Sequence, residues 1–335
     1  MKCHFRILVI GASFAVGIAV VGAAIRGEDR KTLLQYAESH DFEGLREQTF
    51  RAIERDPSDS EIYFANDAQF LARPEYHAEV LRRLEKRVTV KPSHGAYWVL
   101  AQTCERRALG AHFRTEDEKR RFLKYYGLDS DAGFPKKNDE VLISKTIEYY
   151  KKAIELSKTG WWFVDTFYPT FYSRQLVDFY SRLNRHAEAL DLCKALAQQK
   201  ANLSDASFLL AYGEVLDAAG KPDEAEKWLL KVRQNDHEGF ERGPACHTVD
   251  AENALGLIAL RRGDVDAAVE HLRASTHVEK CCHNTTKGFP TTLASKLLDK
   301  GKSAAVIEFC ETVLRDFTPH ADYIEALLAR AKTAS

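Results

Sequence analysis

The chain has one methionine, at its start, and only nine prolines and eighteen glycines in 335 residues. So little of the two residues that break regular structure excludes a loop-rich or fibrous chain. It also lacks an excess of either charge. Lysine and arginine number 48 against 49 aspartates and glutamates, a net charge of −1. A nucleic-acid binder needs a basic excess to neutralise phosphates, so that class is set aside. Signatures of catalysis are missing too: no G-x-S-x-G, P-loop, G-x-G-x-x-G or S-x-x-K occurs. No cofactor-binding motif is present. With 45% hydrophobic and 29% charged residues, what remains suits a packed, helical body.

The amino end differs from the rest. Ile7 to Ile25 carry no charge and follow Lys2, His4 and Arg6. A charged start, an apolar run and the small residues Gly22, Ala23 and Ala24 are the layout of a secretory signal. The run also approaches the roughly 20 residues of a membrane-spanning helix. Residues 1–25 are therefore expected to be a cleaved signal or a retained anchor, both readings staying open. Residues 26–335 are expected to be exported, to the periplasm or outside the cell, with the amino-terminal segment engaging the membrane at least during export.

Beyond residue 25 a two-helix pattern recurs. Leu176, Val177 and Tyr180 are followed by Ala189, Cys193 and Leu196. The same offsets return as Tyr212, Gly213, Leu216 with Ala225, Leu229, Val232, and as Leu255, Gly256, Ala259 with Ala268, Leu272, Ser275. A fourth copy reads Leu293, Ala294, Leu297 with Val306, Cys310, Val313. Five residues before each second-helix anchor stand Asn184, Gly220, Gly263 and Gly301, residue types that accept positive φ where one helix must end before the next begins.

These offsets, closest in "ALGLIALRRGDVDAAVEHLRAS" from Ala254 to Ser275, resemble the tetratricopeptide repeat. Leu33, Tyr36, Leu45, Thr49, Ala52 and Pro57 give an earlier copy, and residues 59–92 a poorer one. Leu100, Ala101 and Cys104 form a third first helix whose partner is delayed to Thr146, Tyr150 and Ala153, an insertion at about 109–140. The carboxyl-terminal units also resemble those of uncharacterised bacterial tetratricopeptide proteins, which implies no activity. The resemblance implies an all-α, right-handed α-solenoid of about seven hairpins over 26–335, ending in the capping helix "ADYIEALLARA".

It also implies a binding scaffold without catalysis, whose concave first-helix surface takes a protein or peptide. In the repeat frame that surface carries Arg174, Asp178 and Arg182, then Glu214 and Asp217, then Asp250, Asn253 and Arg261. They are mixed in sign, which points to an internal segment of mixed charge as the partner.

Other chemistry competes with this reading. Cys104, Cys193 and Cys310 sit at small core positions and read as buried, inert thiols. Cys246, Cys281 and Cys282 lie in long loops, where an oxidising compartment would allow a disulfide from Cys246 to one of the adjacent pair. The same loops, around 237–247 and 277–283, hold His237, His247, His277 and His283. A metal-dependent or hydrolytic protein using them is the alternative, although no known ligand spacing is matched and no metal site is assigned. "DSDAGF" at 129–134 has acidic spacing like a calcium loop, but Phe134 stands where such a loop needs glycine. "WWFVDTFYPTFY" at 161–172 is either an exposed partner patch or core filling, and the aromatic density favours the core.

Overall fold

The structure is a computed structural model and describes residues 33, 35–109, 123, 128, 130–135, 137–158, 164–198, 205–238, 246–277, 289–316 and 321–334. Among these, the side chains of 164–168, 234–238, 246, 321 and 322 are left out. The described residues form an all-α array of helical hairpins in two compact units, divided in the chain between Phe179 and Tyr180.

The first unit opens with helical residues 35–38 and α1 (Phe42–Arg55). The second hairpin consists of α2 (Glu61–Phe64), α3 (Asp67–Ala72) and α4 (Pro74–Val90), and the third of α5 (His94–Ala108) and α6 (Glu140–Ser157). Helix α7 (Val164–Arg182) crosses the boundary, most of it in the first unit. The second unit continues with α8 (His186–Ala197), then pairs α9 (Ala206–Ala218) with α10 (Pro222–Glu238). Next come α11 (Cys246–Arg261) with α12 (Val265–Ala274), and α13 (Thr292–Asp299) with α14 (Ser303–Asp316). Helix α15 (Ala321–Thr333) packs on α14 as the expected cap, burying Ile324, Leu327 and Ala331.

One turn recurs. Asn184, Gly220, Gly263 and Gly301 all take positive φ, between 57° and 83°, and so does His40 at 58°. After each, the next residue donates its N–H to a carbonyl five residues back: Asp41 to Tyr36, Arg185 to Tyr180, Lys221 to Leu216, Asp264 to Ala259 and Lys302 to Leu297, at 2.9–3.0 Å. The positive-φ residue itself bonds three residues back, as Gly301 does to Leu298 at 2.9 Å. This is the Schellman arrangement, which satisfies carbonyls that a helix end leaves open. The residue closing the turn is also the first acceptor of the second helix. Leu45, Ala189, Ala225, Ala268 and Val306 donate to it at 2.9–3.3 Å, and all five are buried. One residue thus ends the first helix and caps the second, which fixes how the second helix's apolar face is rotated.

The second hairpin departs from this plan. Its first helix breaks at Asn66, which is fully buried. Asn66 Nδ2 donates to Ile62 O at 3.0 Å and to Thr49 Oγ1 at 2.8 Å, while Tyr76 OH donates to Asn66 Oδ1 at 2.6 Å. An asparagine side chain that takes the carbonyl of residue i−4 competes with the helix ladder. Proline at the first position of α4 then starts the second helix without a left-handed turn.

In the third hairpin, α5 and α6 pack extensively despite the insertion between them. Thr146, Tyr150 and Ala153 are all buried, and Asp139 N–H reaches Ala108 O at 2.9 Å to close the ends of the inserted segment. Leu128 and Phe134 from the insertion pack on Ala68 and Leu71 of α3. Gly133 presses so close to Ala72 O that a β-carbon there would overlap it. The Arg107 guanidinium clamps this junction by donating to Phe70 O at 2.8 Å, Gly133 O at 3.1 Å and Leu71 O.

His77 lies near the start of α4, in the second hairpin. Its Nε2–H donates to Thr103 O at 2.8 Å, and the ring is buried edge-on against Phe70. Burial holds its pKa down to about 4, with Arg107 and Lys145 nearby also opposing a positive charge. The unfolded chain titrates near 6.5, so this stability is fully present above that pH and is lost as pH falls toward 4. Urea unfolding of the first unit should show roughly 2 kcal/mol lost between about pH 7 and pH 5. His77→Gln, which keeps a donor but cannot titrate, should remove that slope.

Candidate interaction surface

The 3.6-residue period decides which first-helix residues miss the core. In α9, Tyr212, Gly213 and Leu216 are buried, leaving Glu214 exposed and Asp217 half-buried. In α11, Leu255, Gly256 and Ala259 are buried, Asp250 and Asn253 are half-buried, and Arg261 is exposed. Arg182, also in the second unit, is exposed at the end of α7.

Within the second unit the structure brings two of these residues together. The Arg261 guanidinium pairs with the Asp217 carboxylate, joining α11 to α9. Asn253 plays a structural part, its Oδ1 accepting from Leu293 N–H at 3.2 Å. Thr291 caps α13 without a side-chain bond, so the neighbouring hairpin supplies the acceptor. The repeat frame did not single out Glu252. It is 2% exposed, and its carboxylate is held by Arg233 Nε at 3.1 Å and His271 Nδ1 at 2.7 Å, linking α10, α11 and α12. A buried carboxylate requires such partners.

In the first unit, Arg174 is half-buried and Asp178 exposed on α7. The corresponding face of α5 was missed. Gln102 follows the small residue Ala101 as Asp178 follows Val177, so the same frame locates it. Tyr150 of α6 reaches this face and donates to Glu105 Oε2 at 2.5 Å. Gln102 Nε2 donates to Tyr150 OH and, at 3.4 Å, to Gln175 Oε1 of α7. Arg106 pairs with Asp67 and donates to Tyr63 OH.

The described part of the aromatic segment packs inward. Tyr172 is buried, with its OH 2.8 Å from His94 Nδ1, and Trp98 lies 5.9 Å from Phe171 between ring centres. Burial lowers the pKa of His94. Residues 161–163 and the side chains of 164–168 lie outside the described residues.

Cys104, Cys193 and Cys310 are free and fully buried, as expected of inert thiols. Burial pushes the Cys104 thiol far above its ordinary range and that of Cys310 up to about 11, so neither is a thiolate at neutral pH. Cys281, Cys282 and His283, and the side chains of His237 and Cys246, lie outside the described residues. His247 is half-buried at the start of α11, and His277 Nδ1–H donates to Arg273 O at 2.8 Å. Among the described residues, no three His, Cys, Asp or Glu side chains are grouped to hold a metal ion. Asp129 is outside the described residues; Gly133 and Phe134 beside it pack onto α3. Residues 1–25 are also outside, and among the described residues no helix is long and apolar enough to cross a membrane.

No protein-family model matches the chain. No curated protein matches it. Among solved structures it is similar to BtubC (BKLC) from P. vanneervenii, at 15% identity over 78% of this chain and 88% of that one, with a TM-score of 0.45. It is also similar to a chain of the Naa15/Naa10 complex bound to HypK-THB, at 15% identity over 92% of this chain and 39% of the other, TM-score 0.32. A third similarity is to the TPR2AB domain of yeast Sti1 in complex with pHSP90, at 13% identity over 92% and 99%, TM-score 0.27. Superpositions this loose carry no weight on function. The hairpins and their turns show a tetratricopeptide-like helical-repeat fold.

Proposed function

We propose that the chain is a non-catalytic scaffold that binds a segment of another protein, or a peptide, on its first-helix faces. It is exported, or tethered by residues 7–25. The observation that supports this reading is the division of first helices such as α9 and α11 into a buried apolar face and a polar face, on which acids and bases together stand across the hairpins. Glu214, Asp217, Asp250 and Arg261 carry that second face in one unit, Arg174 and Asp178 in the other. Polar groups so arranged set specificity and association rate more than raw affinity, and they suit a segment carrying both signs. Near-zero net charge fits a protein partner better than a nucleic acid. The charged start and apolar run of residues 2–25 support export.

Charge reversal at Arg174 and Arg261 together should abolish capture of the partner that the wild-type protein retains. Arg261 is half exposed in its pair with the less exposed Asp217, so losing the pair should cost about 1 kcal/mol and shift the melting curve only slightly. Unchanged capture would place the partner elsewhere. Separately, residues 1–30 fused to a reporter should carry it across the membrane; a cytoplasmic reporter would refute export.

A further inference from the structure

At four joints between successive hairpins, a base on the later hairpin's turn reaches back to the earlier hairpin. In the first unit these contacts are to a ring, to backbone carbonyls, and to one carboxylate that is mostly buried, Asp67, which pairs with Arg106 at 24% exposure. Arg73, just before α4, sits over the Phe42 ring at 4.0 Å, and Arg107 near the end of α5 donates to the carbonyls of Phe70 and Leu71. In the second unit every such base meets a carboxylate. Arg262, just past α11, clamps Asp223 at 2.5 Å and Glu226 at 2.7 Å at the start of α10. Arg261 pairs with Asp217, and Lys302, just before α14, meets Asp266 at 3.0 Å.

The pattern has a physical origin. A base at a helix carboxyl end and an acid at a helix amino end are each favoured by their own helix dipole. Stacked hairpins place both kinds of end along the turn edge, so Arg262 of one hairpin meets the acids of the one before. These pairs are open to water: Asp223 is 86% and Asp266 91% exposed, with Arg262 and Lys302 each 40% exposed. Exposed pairs are screened by salt, whereas the half-buried Arg107 holds its clamp through hydrogen bonds to backbone carbonyls. The ion pairs that cross hairpins in the first unit, Arg106–Asp67, Lys145–Glu85 and Arg87–Glu54, are less exposed than Asp223 and Asp266, so salt screens them less.

We infer that the turn edge of the second unit is an electrostatic zip that opens with rising ionic strength, while the turn edge of the first unit does not respond. The array thus carries a built-in difference in stiffness set by the surrounding salt.

Hydrogen exchange on the full-length protein tests this, comparing about 10 mM with about 1 M sodium chloride, where the screening length falls from roughly 30 Å to 3 Å. The turn amides of Gly220, Lys221, Gly263 and Asp264 should exchange several-fold faster at high salt. Those of Arg73 and His77 should change less than twofold. R262E should exchange fast at both salts around Gly263, and the swap D223R/E226R/R262E should restore slow, salt-sensitive exchange. Equal rates at both salts in the second unit, equal acceleration in both units, or a swap that restores nothing would each overturn the inference.

Discussion

A single residue shared between two helices sets the geometry of most hairpins. Asp41, Arg185, Lys221, Asp264 and Lys302 each close a left-handed turn and offer the first carbonyl of the next helix. Because that turn has no slack, the anchor four residues on arrives at the core in one orientation only. A residue there faces the buried side whatever its neighbours are, so Ala225 and Ala268 need only be small and Val306 only apolar. The second hairpin shows the consequence of losing the turn. There a buried asparagine, a tyrosine and a proline set the helix boundaries.

The turn explains why so much of the fold was legible. Three of its five instances use glycine and one asparagine, residues that advertise positive φ, and their constant distance from the anchors reveals the period. His40 escaped notice because histidine is an unusual occupant of that conformation. The delayed second helix of the third hairpin was legible for the same reason: Thr146, Tyr150 and Ala153 keep their spacing across the insertion. The break at Asn66 was not, because it depends on Thr49, 17 residues away, and Tyr76, 10 residues away.

The interaction surface was legible only as a set of outward positions. Which of those residues satisfy one another is a matter of stacking, and Arg261 meets an aspartate 44 residues earlier. Asn253 illustrates the limit: its position is outward, yet it serves the start of the next helix. Glu252 illustrates the converse, a charged residue at a buried position whose partners come from the helices on either side of it in the chain. The hairpin frame says where side chains point, and the joint between hairpins says what they touch.

The shared-residue turn can be tested by lengthening it. Inserting one alanine between Gly263 and Asp264 would separate the turn from the cap and rotate α12 by about 100° against α11. Hydrogen exchange along α12 should then lose the protection of Ala268, Val269 and Leu272, while α9 and α10 keep theirs. Retained protection throughout α12 would contradict the account, because the rotation of the second helix would then be set by core packing alone.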